Sequence, residues 1–187
     1  MAIPGFNQQG LLPPYDGDGA LVEASSPYQT TTSEICHKFG TTPVRREILR
    51  GFLRYRALLT ELRLVDGFQW VDGRFLEEDR GPHNAPENIQ VVTFCKDSPL
   101  MKDPLYAALS KPLRVEFEDL RKTFRVDAQF VSLDWPLVNI LNHTRFHAGV
   151  LSHQSETGLW KGMLQINLNT SNDDTHAMAV LTTLEAS

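Results

Sequence analysis

The chain has 187 residues, 41% of them hydrophobic, and 18 Lys and Arg against 23 Asp and Glu give a formal net charge of −5. Such a length and composition point to one soluble globular domain with a full core, and no apolar run is long enough to span a membrane. The acidic balance argues against broad non-specific binding to nucleic acid and leaves only a local basic patch for that purpose. Cys36 and Cys95 lack metal-like spacing, and the first ten residues, MAIPGFNQQG, lack the basic-then-apolar pattern of a secretory signal. The expected location is therefore the reducing cytoplasm.

In chain order, residues 1–30 are rich in Pro and Gly and read as an N-terminal arm with little regular structure. Thr30 to Ser33 can cap a short helix over Glu34 to Phe39 that stops at Gly40. Thr42-Pro43 then opens a long helix, Thr as N-cap and Pro at the first helical position, running to about Val65. Ile48, Phe52, Tyr55, Leu59 and Leu62 form its apolar stripe. Arg46, Arg50 and Arg54 recur every fourth residue on another face, either as a solvated helix back or as a docking stripe for an acidic partner or a phosphate backbone.

Phe68 to Val71 predicts a first strand ending in the turn Asp72-Gly73, and Ile89 to Phe94 a second, β-branched and buried. Asn88 and Gln90 sit two apart at its start, so a pleated strand points both to one face. Residues 96–104 read as loop, 105–109 as a helical turn and 115–124 as a charged helix. From Phe124 to Leu133 the residues alternate as a third strand, with Phe124, Val126, Ala128 and Phe130 facing one way and Arg125, Asp127, Gln129 and Val131 the other. A helix from Trp135-Pro136 to about Phe146 and a last strand over 160–168 complete the domain, taken as residues 31–170. The tail, 171–187, begins polar and has a short helical stretch over 177–184.

Several of these features, in this order and spacing, resemble the nucleotidyltransferase superfamily, with its Gly-Ser turn, Asp-x-Asp strand and third Asp on a later strand. More narrowly they resemble a bacterial nucleotidyltransferase-like group, through Leu12-Pro13-Pro14, Asp72-Gly73-Arg74-Phe75, Pro86-Glu87-Asn88-Ile89-Gln90, Val126-Asp127-Ala128 and Lys161-Gly162. The resemblance implies an α/β (α+β) fold, a small mixed sheet flanked by helices. It places the family's metal carboxylates on Asn88, Gln90 and Asp127 and its phosphate-holding turn on Gly73 and Arg74. Only Asp127 is an acid. Two-metal nucleotidyl transfer needs hard cations held by anionic oxygens, and an amide supplies no negative charge.

The expectation is thus a pseudoenzyme without a cofactor that binds another protein as an adaptor, inhibitor or antitoxin-like subunit. By family analogy the partner is a toxin, nuclease or ATPase in bacterial defence, reached through the arm, the Arg46/Arg50/Arg54 stripe or the tail. The alternatives are an active enzyme using Mg²⁺ and a nucleoside triphosphate, with Asp127 and acids from Glu77-Glu78-Asp79, and a nucleotide sensor without turnover. Arg74 or another pocket cation is expected to neutralise Asp127 in place of the metal. His143 and His147, four apart on a helix, lack a third metal ligand and read as ordinary helix histidines. Cys95 reads as a buried structural thiol, and Asp173-Asp174 as part of a solvated tail.

Overall fold

Residues 3–17, 24–79, 81, 85–98 and 117–186 are described by a computed structural model of the chain. The described strands form one mixed sheet in the order β1-β5-β2-β3-β4, from β1 (Tyr28–Gln29), β2 (Gly67–Asp72), β3 (Ile89–Cys95), β4 (Val126–Ser132) and β5 (Leu164–Asn167). β2 runs antiparallel to both β3 and β5, whereas β3–β4 and β1–β5 are parallel. The fold is therefore the expected small mixed sheet flanked by helices. Four of these, α1 (Thr32–Phe39), α2 (Pro43–Glu61), α3 (Phe117–Phe124) and α5 (Ser171–Ala186), pack into the main core on one face. On the opposite face α4 (Leu137–Leu151) covers a smaller core of Trp70, Val92, Phe94, Val131 and Met163.

The caps at the start of the domain are those the sequence calls for. The Thr31 hydroxyl accepts from the Glu34 N–H, and Glu34 accepts in return from the Thr31 N–H at 3.0 Å, a reciprocal capping box. Thr42 accepts from the Arg45 N–H, with Pro43 at the first position of α2. The stripe Ile48, Phe52, Tyr55, Leu59 and Leu62 is buried throughout. α2 nevertheless stops at Glu61, short of the expected Val65. Arg63 adopts φ +53°, and the Leu64 N–H reaches back to the Leu59 carbonyl, which turns the chain and buries Leu64.

Arg125, also at φ +53°, separates α3 from β4, so Phe124 belongs to the helix and not to the expected strand. The alternation beyond it holds: Val126 and Ala128 enter the main core and Val131 the smaller one. α4 runs on to Leu151, past the expected Phe146. The expectations for 99–116 lie outside the described residues.

Two terminal segments differ from expectation. Residues 1–30 contribute β1 to the sheet edge and the buried Leu11 and Leu12 to the interior, because the carbonyls of Met163, just before β5, and of Gln165 within it accept from the N–H groups of Tyr28 and Thr30. The arm also shortens the last strand to 164–167: it crosses at Gly162, whose N–H donates to the Leu12 carbonyl and where a Cβ would lie 2.3 Å from the Pro13 carbonyl oxygen. The tail is helical from Ser171 and docks on α1 and α2. Its acids are bonded inward. Asp173 accepts from the Thr32 N–H at 2.7 Å, and both oxygens of Asp174 accept from the Arg56 Nε.

Candidate functional site

The turn after β2 builds the site. Gly73 has φ +90°, and a Cβ there would press on the Gln90 side chain at 3.0 Å, so both conformation and space favour glycine. A 3₁₀ turn, Arg74–Leu76, follows and buries Phe75 and Leu76. It is clamped from beneath by Arg45 of α2, 2% exposed, which donates to the carbonyls of Phe75 (2.7 Å) and Glu77 (2.8 Å) and lies over the Phe75 ring. The turn thus has a fixed shape, set by a guanidinium and not by local sequence alone.

Register then aligns three polar residues. Asp72 pairs with Gln90 across β2–β3, and Gln90 with Asp127 across β3–β4, so all three lie in one row on the face that carries α4. Beside the row opens a cleft of about 320 Å³, whose lining includes Gly73, Arg74, Asn88 and Gln90. Four of the residues picked out by motif therefore converge. Asp127 does not line this cleft. It is paired at 2.5 Å with Arg121 of α3, while Arg74 pairs with Glu156. Asp127 is thus neutralised by a cation, but by Arg121 and not by Arg74, because α3 ends directly beside the start of β4.

The main feature of the cleft not anticipated is a buried ion pair. Lys161, 3% exposed, places its Nζ 2.7 Å from Asp72 and 3.2 Å from the Gly73 carbonyl, with Glu77 at 3.9 Å. Burial pushes the Asp72 carboxyl up to about 6, against the opposing pull of Lys161 and a backbone hydrogen bond at Gly73. Both residues stand in the motifs of the sequence reading, yet nothing in the spacing of residues so far apart in the chain announces their contact. Glu77 also lines the cleft and accepts from Gln154, whereas Asp79 lies 3.8 Å from Arg45. Of the acidic loop, Glu77 is the member found in the cleft lining.

A hairpin-like loop, pinned by a bridge between His153 and Trp160, forms another wall through His153 and Ser155. Among the described residues no group of three or more His, Cys, Asp or Glu is placed to hold a metal ion. The His143 and His147 rings stand 6.3 Å apart, and burial, aided by His143, lowers the affinity of His147 for a proton. Burial likewise pushes the Cys36 thiol up to about 12 and the Cys95 thiol to about 11, which leaves both unreactive.

The arginine stripe is engaged within the chain. Arg46 donates to the Gly40 carbonyl at 3.0 Å, Arg50 pairs with Glu185 at 2.5 Å, and Arg54 reaches the Thr123 carbonyl at 3.4 Å. These contacts tie α2 to the end of α1, to α5 and to α3. No described helix is long and apolar enough to cross a membrane.

Comparison with curated proteins and with solved structures finds no match. A family model does match, over residues 4–167, from the arm that supplies β1 to the end of β5. With most of its length so covered, cleft and ion pair included, the chain belongs to a family of unknown function (DUF6932).

Proposed function

We propose that the chain is a catalytically inactive, nucleotidyltransferase-like protein of the cytoplasm that acts by binding another protein, as an adaptor, inhibitor or antitoxin-like subunit. The observation that carries this reading is the pair of amides, Asn88 and Gln90, in the cleft beside Gly73 and Arg74. A hard divalent cation there would need anionic oxygens. Three nearby acids are engaged, Asp72 by Lys161, Asp127 by Arg121 and Glu77 by Gln154, and Glu87 is the further acid of the lining. Freeing Asp72 for a metal would leave Lys161 charged and buried, which is unfavourable. Lys161 already supplies the positive charge beside that carboxylate, which supports a cleft that works without a metal.

The alternative, a metal-dependent nucleotidyltransferase, draws support from Glu77 and Glu87, which line the same cleft. Calorimetric titration with ATP and GTP, each with and without Mg²⁺, separates the two. Absence of Mg²⁺-dependent binding is expected. Mg²⁺-dependent heat with either nucleotide would overturn the proposal and favour an enzyme or a sensor, which label transfer from the nucleotide would then distinguish.

A further inference from the structure

The cleft beside β3 offers no wall to a flat or apolar ligand. Among the described residues that line it, only Gly73 and Ala85 lack a polar side chain. The aromatic and apolar lining on which a base or a hydrophobic side chain packs is missing from them. Whatever enters is held by hydrogen bonds and charge.

The polar groups of the cleft differ in how far they are already used. Its two fixed cations are spent within the chain. Lys161 donates to Asp72 at 2.7 Å and to the Gly73 carbonyl at 3.2 Å, and Arg74 pairs with Glu156 of the loop that carries His153 and Ser155. By contrast, the side chains of Glu87, Asn88, Gln90 and Ser155 have no hydrogen-bond or ion-pair partner among the described residues. None of the four is buried, so each can reach a ligand.

An amide can present either its oxygen or its NH₂ edge, and charge therefore decides. Among the described residues, the two cations face the carboxylates of Asp72, Glu77, Glu87 and Glu156. The excess is negative, and Glu87 is its unpaired member. Such a field disfavours a phosphate or a carboxylate and favours an organic cation. Of the cations a protein displays, guanidinium fits best. It is planar, has five N–H donors and no acceptor, and its fork matches a carboxylate with two parallel bonds. Its remaining donors suit the amide oxygens of Asn88 and Gln90, which both enter the cleft from the start of β3. A lysine ammonium has three donors about one point and holds its water more strongly. Lys161 does not repel the newcomer from the floor, because Asp72 neutralises it.

We propose that the cleft receives an arginine side chain of the partner protein, with Glu87 pairing with the guanidinium and Asn88 and Gln90 completing its hydrogen bonds. This assignment rests on the protein-binding reading of the chain.

The test is titration of the ¹⁵N-labelled full chain with N-acetyl-arginine N-methylamide, followed by the amide signals of Gly73, Glu87, Asn88 and Gln90. A saturable shift of these signals is expected, with a single side chain binding in the ~mM range. The citrulline analogue, which keeps the shape without the charge, and the lysine analogue are expected to bind at least about tenfold more weakly. Glu87→Gln should weaken arginine binding by about the same factor with unchanged circular dichroism, whereas Glu61→Gln, exposed at the end of α2, should not. Free arginine and agmatine separate a protein side chain from a small metabolite, and neither is expected to bind more tightly than the blocked residue. No shift with the arginine compound, equal binding of either analogue, insensitivity to Glu87→Gln, or tighter binding of free arginine or agmatine would overturn the assignment. The reading on which it rests fails separately, if ATP gives Mg²⁺-dependent shifts in the same sample.

Discussion

Lys161 and Asp72 define the chemistry of the cleft floor. Removing one partner of a buried pair strands the other charge, so Asp72→Asn and Lys161→Met are each expected to lower stability by ~3–5 kcal/mol. The double variant should recover most of that loss, because two neutral groups leave no stranded charge. Urea denaturation of the four proteins checks it, and losses that simply add would contradict the pairing. The pair also has a pH signature. The folded chain holds the Asp72 proton up to about 6, whereas an unfolded Asp releases it near ~3.9. The folded state therefore binds more protons between these values, and this group makes stability fall as pH rises through that window. The double variant should lack that slope.

Individual residues also mark how far the sequence could be read. Arg45 stands three residues before Ile48, in phase with the apolar stripe of α2, so a charge in register with a buried face was visible. Its two carbonyl partners on the turn were not. The left-handed conformations of Arg63 and Arg125 are equally silent in sequence, since neither residue type favours them. They account for the misplaced ends of α2 and β4.

At the scale of elements, the turn after β2 depends on α2. Arg45→Met removes two charge-assisted hydrogen bonds, and the expected loss is on the order of 3 kcal/mol by chemical denaturation. Arg45→Lys should recover little of it, because an ammonium lacks the planar fork that reaches both carbonyls. A second contact between elements joins α5 to α1. Burial works to raise the Asp173 carboxyl, but hydrogen bonds from Ser33 and Thr32 outweigh it and hold the group below its ordinary value. Its stabilisation is therefore complete above pH ~4 and fades as the acid group is protonated below that. Asp173→Asn should cost roughly 1–2 kcal/mol at neutral pH, with a difference from wild type that shrinks on acidification. A constant difference would contradict the assignment. The sequence showed two acids in a polar stretch ahead of a short helical one, which read as a solvated tail. That they point inward follows only from where α5 docks.

At the scale of the molecule, the mixed sheet and the helices around it were legible because apolar periodicity fixes element type and which face is buried. Long-range placement was not. β1 contains two residues, and a Pro- and Gly-rich arm carries no periodic mark of pairing with β5 or of crossing Gly162. A chain shortened to begin at Thr31 is accordingly expected to lose cooperative thermal unfolding, since the edge of β5 and the sites of Leu11 and Leu12 would be opened to water. Within the site, the motifs identified Gly73, Arg74, Asn88 and Gln90 as neighbours. Asp127 was set apart by Arg121, a residue whose role depends on how α3 ends.

We propose that Asn88, Gln90 and Lys161 keep a metal out of this cleft, and calorimetric titration of Mg²⁺-ATP into the native chain and into the Asn88→Asp/Gln90→Asp variant, side by side, tests this. No Mg²⁺-dependent heat is expected from the native chain and measurable Mg²⁺-dependent binding is expected from the variant, since the variant restores the anionic oxygens a hard cation needs. Mg²⁺-dependent binding by the native chain would contradict it.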